Sequence, residues 1–323
     1  MALLDQRSLH HIDPRLAGIE MQLKEAYYNL DKTTSSFDSD LDNKLKPLKR
    51  YKWWAIGIAI PLLFLAPFLL ISIIPIYFLL KHSLKSFTKG VLTRAYMMAP
   101  IASALNLEYS VGGNLLICEE AISAGILAKG GRAVAEDGFN GEVNGIHFYF
   151  TEVHIRTLHQ NNDSKRLFNG AVIKLSMPEP VDTPIVVLQD AGLWNMLINR
   201  RQSLKGLQRV KFEQEDFEKE YQVYAKDEAS CRKVLTPKYL KQLSQVKSFF
   251  SSENLPKGLK IPKVKAQMFI EGSDILISLD YGANLFSPKK LQNEYDPSWA
   301  EDIAKQFLLI ENLAKSLVHS RWT

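Results

Sequence analysis

The residues best suited to chemistry lie in one short segment, GIHFYFTEVHI, which runs from Gly145 to Ile155. Its aromatic and branched residues predict a β-strand, whose side chains alternate between the two faces of a sheet. Glu152 and His154 are therefore expected on the same face. Such a pair can share a proton or supply two metal ligands, with His159 as a third. The alternative, which we favour, is a hydrogen-bonded structural pair, because no facing third ligand is identifiable.

No other stretch carries a recognisable catalytic or cofactor motif. The glycine-rich run from Gly130 to Gly145 lacks the phosphate-binding spacings, so its glycines are interpreted as turn residues. The acidic group from Glu213 to Glu220 predicts a solvated strand face and lacks the ligand spacing of a calcium loop. Cys118 and Cys231 form no CxxC pair and are expected to pack as small hydrophobes. We predict no cofactor and no metal, and enzymatic activity is uncertain, with a non-enzymatic role favoured.

The distribution of charge argues against a nucleic-acid-binding protein. The 323 residues carry a net charge of +5, but residues 108–323 hold 27 basic and 27 acidic side chains, so this large part is neutral. Nucleic-acid-binding domains usually concentrate Lys and Arg on the recognising surface. The 46% apolar content is typical of a globular protein with a sizeable core. We therefore expect no nucleic-acid partner.

The most informative segment is an uncharged apolar run from Trp53 to Leu80. As a helix it would be about 42 Å long, which exceeds the roughly 30 Å hydrocarbon layer of a bilayer. Its position after some fifty mostly polar residues excludes a signal peptide. We predict a membrane segment that contacts lipids. The residues predicted to contact the membrane are Trp53, Trp54, Pro67 and Tyr77, with the flanking Lys49, Arg50, Lys52, Lys81, Lys85 and Lys89.

Basic residues on both sides of this run bear on its topology. No acidic residue occurs between Asn43 and Leu107, whereas Lys and Arg cluster at 44–52 and 81–94. Because Lys and Arg favour the cytoplasmic side, a hairpin with both ends in the cytoplasm is favoured over a single tilted pass. Burial in a protein core or in an oligomer is the third alternative. Ala66-Pro67 lies at the midpoint and could turn the chain. Each arm would reach only about 20 Å, which indicates a re-entrant wedge or two short helices that snorkelling Lys and Arg side chains extend.

The segments that flank the run predict helices. An acidic cap and a first-turn proline place one helix start near Asp13-Pro14. TTSSFDSD, from Thr33 to Asp40, predicts a loop. A basic amphipathic helix is expected from Lys81 to Met98, ending before Ala99-Pro100, and would contact lipid headgroups or serve as a connector. The first helix has an apolar stripe that would pack in a coiled coil or on the C-terminal domain, namely Leu16, Ile19, Leu23, Tyr27 and Leu30.

The C-terminal part predicts an α+β fold with a mostly antiparallel sheet and packed helices. Strands are expected in GAVIKLSM, TPIVVLQD, EYQVYAKD, AQMFIEG and DILISLD, the last two joined by a hairpin turn at 271–274. Thr236 and Pro237 mark a helix start. The final helix presents a core-facing stripe at Ile303, Phe307, Ile310, Leu313, Ala314 and Leu317. The predicted division is an N-terminal helical region at 1–52, a hydrophobic membrane segment at 53–80, a juxtamembrane helix at 81–100 and a cytoplasmic domain at 101–323.

Several motifs extend this interpretation. They are LEYS from Leu107, FNGEVNGIHFYFTEVH from Phe139, RLFNGAVIKL from Arg166, FEKEYQVYAKDEASCRKVLTPKYLKQL from Phe217, and ILISLD followed by NLFSP. By these motifs the chain resembles an uncharacterised bacterial family of membrane-anchored proteins, domain-of-unknown-function family thirty-one thirty-seven. The resemblance covers roughly residues 85–317. The resemblance implies an N-terminal helix, a short hydrophobic insertion with commonly two membrane helices, and a cytoplasmic α+β domain. It implies no known activity.

Two functions follow as hypotheses. The favoured one is a membrane-tethered cytoplasmic interaction or scaffolding module with a protein partner. The alternative is a membrane-associated hydrolase that uses Glu152 and His154. A pocket that converges on these two side chains would favour the hydrolase, whereas a closed sheet with an exposed apolar patch would favour the interaction module.

Overall fold

The computed structural model describes residues 9–50, 91–92, 94–157, 165–189, 206–251, 253–255, 259–261, 263–286 and 296–322. Over these ranges the fold is α+β, with a mostly antiparallel sheet and packed helices, as predicted. No helix in this part of the chain is long and apolar enough to cross a bilayer. The predicted membrane segment lies outside the described residues, as do Trp53, Trp54, Pro67, Tyr77, Lys52, Lys81, Lys85, Lys89 and His159.

The described strands form one seven-stranded sheet with the order β1-β2-β3-β4-β6-β5, and β7 pairs with β4. Asn144, with φ of 52°, and Gly145, with φ of 77°, form the tight turn between β2 and β3. The predicted strand that contains Glu152 is confirmed as β3. The strands are β1 Glu108–Val111, β2 Gly131–Val143, β3 Ile146–Thr157, β4 Arg166–Gln189, β5 Gln208–Val210, β6 Tyr221–Ala225 and β7 Lys265–Asp280.

Two long strands replace four shorter predicted ones. β4 runs continuously through GAVIKLSM and TPIVVLQD, and β7 runs through the predicted hairpin at 271–274, so the hairpin prediction is wrong. The β4–β7 register shifts between the pairs Ser176–Asp274 and Val181–Gly272. Gly272 has φ of 56°, a conformation that glycine adopts at little cost. Both strands are therefore irregular at the same level, and their pairing resumes beyond it.

The N-terminal helix, α1, spans Ile19–Arg50, preceded by a 3₁₀ turn at Pro14–Leu16 that Asp13 caps. The predicted loop at Thr33–Asp40 is wrong, because this stretch is helical. Its hydroxyl groups donate to helix carbonyls, such as Thr33 Oγ1 to Asn29 O at 2.7 Å, which satisfies them without ending the helix. The predicted stripe from Leu16 to Leu30 is buried in the same core as the C-terminal elements, so this part of α1 packs on the domain.

The chain stays helical past the predicted stop at Ala99-Pro100. A π-helical turn spans Arg94–Met98, and helix α2 follows directly at Ala99–Ala104, with Pro100 in its first turn. Proline is tolerated there because the first N–H groups of a helix have no intrahelical partner. The prediction that the helix ends before Pro100 is therefore wrong.

The other described helices are α3 Leu115–Ser123, α4 Glu215–Glu220, α5 Glu228–Val234, α6 Pro237–Gln245 and α7 Pro297–Trp322. Thr236 caps α6 by accepting a hydrogen bond from the Tyr239 N–H, which confirms the predicted start. The acidic stretch predicted as a strand face is α4 instead. Its Phe217 is buried, and acidic side chains line the rest of this short helix. Over so few residues, apolar and acidic positions that alternate fit a strand as well as a helix.

Apolar residues form a core on each face of the sheet. The larger core contains Phe148 and Phe150, residues of α1, α2, α6 and α7, and the whole predicted stripe of the last helix. The smaller core contains Val153 and Ile155 and lies beneath α3. Cys118 and Cys231 are buried as predicted, and burial raises the pKa of each thiol to about 12.

Candidate functional site

An irregularity in β2 brings three carboxylates together. The β2–β3 register shifts between Ala135 and Gly138, so Glu136 and Asp137 both stand against Glu152. Two residues opposite one define a β-bulge, a feature that re-aims side chains. Arg94 contacts both bulge carboxylates, which places them on one side of the sheet.

Glu152 is fully buried and its carboxylate is held by the segment that follows β7. Its Oε1 accepts hydrogen bonds from Tyr281 Oη at 2.8 Å and from Leu285 N at 2.6 Å, and its Oε2 accepts one from Phe286 N at 3.3 Å. Burial raises the pKa of Glu152 to about 7, against the opposing effect of these hydrogen bonds. Both oxygens have partners within the protein, so this carboxylate joins β3 to residues 281–286.

Asp137 is equally buried and faces a cation. Arg94 Nε lies 3.3 Å from its Oδ1, and the Tyr109 hydroxyl donates a short hydrogen bond to the same oxygen. Burial raises the pKa of Asp137 to about 6, although Arg94 and Tyr109 act in the opposite direction. The π-helical turn and β1 are thereby connected to the β2 bulge.

Glu136 and His154 form the more exposed end of the cluster. His154 Nε2 lies 3.4 Å from Glu136 Oε2, and Asn284 Nδ2 donates to the same oxygen at 2.7 Å. Contact with His154, against the effect of burial, lowers the pKa of Glu136 to about 2. The same contact raises the pKa of His154. The imidazole is therefore paired with Glu136, and Glu152 with Tyr281.

The cluster has more polar atoms than its own hydrogen bonds use. Within the described part of the chain, three buried oxygens of the cluster accept no hydrogen bond: Asp137 Oδ2, Asn284 Oδ1 and Oδ1 of Asn169, which lies opposite His154 on β4. Arg94 Nε and His154 Nε2 make only the ion-pair contacts described above. Across the described ranges, no group of three or more His, Cys, Asp or Glu side chains is arranged to hold a metal ion. What the arrangement can do chemically is bind and release protons.

The sequence identified only part of this cluster. Glu152 and His154 lie on the same face of β3, as alternation predicts, but each pairs with a different partner. Glu136 and Asp137 were missed because they lie in a run interpreted only as turns. A glycine directly after two acids inside a strand pattern is a bulge signal that would have found them. Arg94, Tyr109 and Asn284 are distant in sequence, and no local pattern indicates them.

Comparisons with known proteins give one family match and one similar solved structure. No curated protein matches the sequence. Among solved structures, the crystal structure of the mycobacterial trehalose monomycolate transport factor A, TtfA, is similar with a TM-score of 0.36 and 10% sequence identity, over 68% of this chain and 94% of that one. A family model described as "Protein of unknown function (DUF3137)" matches residues 166–318. The chain thus contains a DUF3137 domain that runs from β4 into α7.

Proposed function

We propose that this protein is a membrane-tethered interaction or scaffolding module, with its N-terminal helix and its α+β domain both on the cytoplasmic side. The apolar run Trp53–Leu80 with its basic flanks supplies the tether. The domain then presents its surface to a protein partner near the membrane.

The observation that carries this proposal is the shared core. Residues of α1, which precede the apolar run, and residues of α2 and α7, which follow it, are buried together. Two segments that pack in one core lie on the same side of a bilayer. This supports a run that enters and leaves the membrane on one face, in agreement with basic residues at both ends.

A second contact supports a firm link between tether and domain. Arg94 lies fourteen positions after Leu80 in the sequence, and its guanidinium contacts Glu136 and Asp137 in the β2 bulge. Such a contact fixes the direction in which the chain enters the domain. Tethering through a fixed segment limits the orientations that the domain adopts at the surface.

The hydrolase hypothesis has less support. A general acid or base must reach the substrate within hydrogen-bond distance, directly or through one water. Glu152 is fully buried, and Tyr281 and two backbone N–H groups occupy its oxygens. His154 is also paired with Glu136 rather than with Glu152.

Membrane fractionation tests the tether. We expect the full chain to sediment with membranes and to resist extraction by alkaline carbonate, whereas a variant that lacks residues 53–80 should stay in the supernatant. A matched variant in which Lys49, Arg50 and Lys52 are changed to Gln retains the apolar run and should still sediment. A full chain that washes off in carbonate would overturn the proposal.

A further inference from the structure

A pocket of about 320 Å³ lies between the end of α3 and β7, on the sheet face opposite Glu152. Its apolar lining comes from Ala124, Phe269 and Leu276, and its rim carries the carboxylates of Glu120, Glu271 and Asp274, together with Ser123. An apolar wall with charged groups at its mouth matches a ligand that has an apolar stem and a charged end.

The protein itself places one ammonium group at this rim. Lys174 Nζ lies 2.7 Å from Glu120 Oε2 and 2.9 Å from Asp274 Oδ2. Glu271 is exposed and has no ion pair with any residue that the structure describes. With three carboxylates and one ammonium, the rim keeps an excess of negative charge that complements a further cation.

An exposed apolar residue extends this surface along α3. Leu116 and Glu120 are four positions apart and therefore lie on the same face of the helix, with Ser123 one turn further. Leu116 is 67% exposed. It lies about 6 Å along the helix axis from Glu120. In an extended peptide, residues two positions apart are spaced by about 6.6 Å and point to the same side.

We infer that this pocket and Leu116 together bind an extended segment of a partner protein, with a Lys or Arg side chain in the pocket and an apolar side chain two positions away on Leu116. The inference rests on the proposed function as an interaction module, and it specifies the side chains by which the module recognises its partner. The basic side chain ends beside Glu271, and its methylene groups lie on Phe269 and Leu276.

A cysteine at the rim measures the preference for cations. Ser123→Cys places an accessible thiol there in the full chain, while Cys118 and Cys231 are buried. We expect cationic 2-aminoethyl methanethiosulfonate to react about tenfold faster than its anionic sulfonatoethyl counterpart. This ratio of the two rates is divided by the ratio measured at the reference site Ser103→Cys, which gives the corrected ratio. Glu271→Gln should lower this preference about twofold to fivefold, and the control Glu142→Gln should leave it unchanged. A corrected ratio of one or below would overturn the inference.

Peptide protection distinguishes a polypeptide from a small amine. We expect the blocked peptide Gly-Lys-Ser-Leu-Gly, or its reverse, to slow modification of Ser123→Cys by neutral methyl methanethiosulfonate. Peptides with norleucine for Lys, or Ser for Leu, should protect several-fold less. Equal protection by 1,5-diaminopentane, or none by either peptide, would refute the partner assignment. Either result leaves the membrane fractionation unaffected, so failure of this site is separable from failure of the tether.

Discussion

The guanidinium of Arg94 compensates charge that burial would otherwise leave unpaired. Asp137 is fully buried, and Arg94 is the basic side chain next to it, with Nε at 3.3 Å. Removing one partner of a buried ion pair is costly because the remaining charge stays desolvated. At the scale of single residues, this contact makes the β2 bulge depend on the segment that follows the apolar run.

We predict that Arg94→Met lowers the free energy of unfolding by about 3 kcal/mol. Adding Asp137→Asn to it should restore part of the loss, since the carboxylate that Arg94 compensated is then neutral. The exposed Arg132→Met, elsewhere at the start of β2, is the control and should change stability by less than about 0.5 kcal/mol. Chemical denaturation of the full chain in detergent gives the free energy of unfolding of wild type, Arg94→Met, the double variant and Arg132→Met. A double variant less stable than Arg94→Met would contradict the ion-pair explanation.

Glu152 predicts a pH dependence of stability. Burial raises its pKa to about 7 from an ordinary value of 4.5, so the folded protein binds this proton more tightly than the unfolded chain. Its contribution is therefore fully present below about pH 4.5 and is lost as the pH rises through about 7. The loss is on the order of 3 kcal/mol.

We expect Glu152→Gln, which resembles the protonated acid, to remove this decline. His154 and Asp137 also have raised pKa values, so the informative quantity is the difference between wild type and variant across pH 4.5 to 7.5. The exposed Glu142→Gln is the control and should follow wild type. Parallel curves for wild type and Glu152→Gln would show that folding does not raise the pKa of Glu152.

At the scale of elements, helix α1 shows what periodicity can and cannot predict. Its buried stripe follows the helical repeat and was predictable, because apolar spacing encodes the face that packs. Its passage through Thr33–Asp40 was not, because Ser and Thr break a helix only when their hydroxyls find better partners elsewhere. Here the hydroxyl groups donate hydrogen bonds to backbone carbonyls of α1, as Ser36 Oγ does to Thr33 O at 2.9 Å.

The strands show the same limit. Alternation predicted the faces of β3 correctly, because successive side chains of a strand point to opposite faces whatever the strand pairs with. The continuity of β4 and β7 depends on their mutual pairing across Pro178 and Gly272, which is a long-range property. The cluster around Glu152 likewise depends on a bulge and on residues from four separate segments. Local patterns carry no information on such distant contacts.

Replacing one buried leucine tests whether α1 packs on the domain. Leu23 is fully buried, and we predict that Leu23→Ala costs about 2–5 kcal/mol because it leaves a cavity in the larger core. Met21, on the same helix but 80% exposed, is the matched control, and Met21→Ala should have little effect. Thermal unfolding of the full chain compares them. Equal effects of the two substitutions would mean that α1 does not pack in this core.

For the whole molecule, the decisive relation is between α1 and the elements beyond residue 90. α1 contacts both the π-helical turn at Arg94–Met98 and α2. Arg15 also donates to Glu311 Oε2 of α7 at 2.7 Å and to Leu105 O at 2.9 Å. The parts of the chain on either side of the apolar run are therefore one packed body. A single pass would place them on opposite sides of the membrane and separate these contacts.

The last prediction is that Trp53–Leu80 enters and leaves the membrane on the cytoplasmic side. Basic residues flank both ends, and moving either group across an energised bilayer is unfavourable. Ser36→Cys and Ser86→Cys, each in the full chain, report the two sides of the run, while the two native thiols are buried and give a low background. A membrane-impermeant maleimide should label both positions in inverted vesicles and neither in intact cells. Labelling of the two positions from opposite sides would establish a single pass, and the core shared by α1 and α7 could not then form.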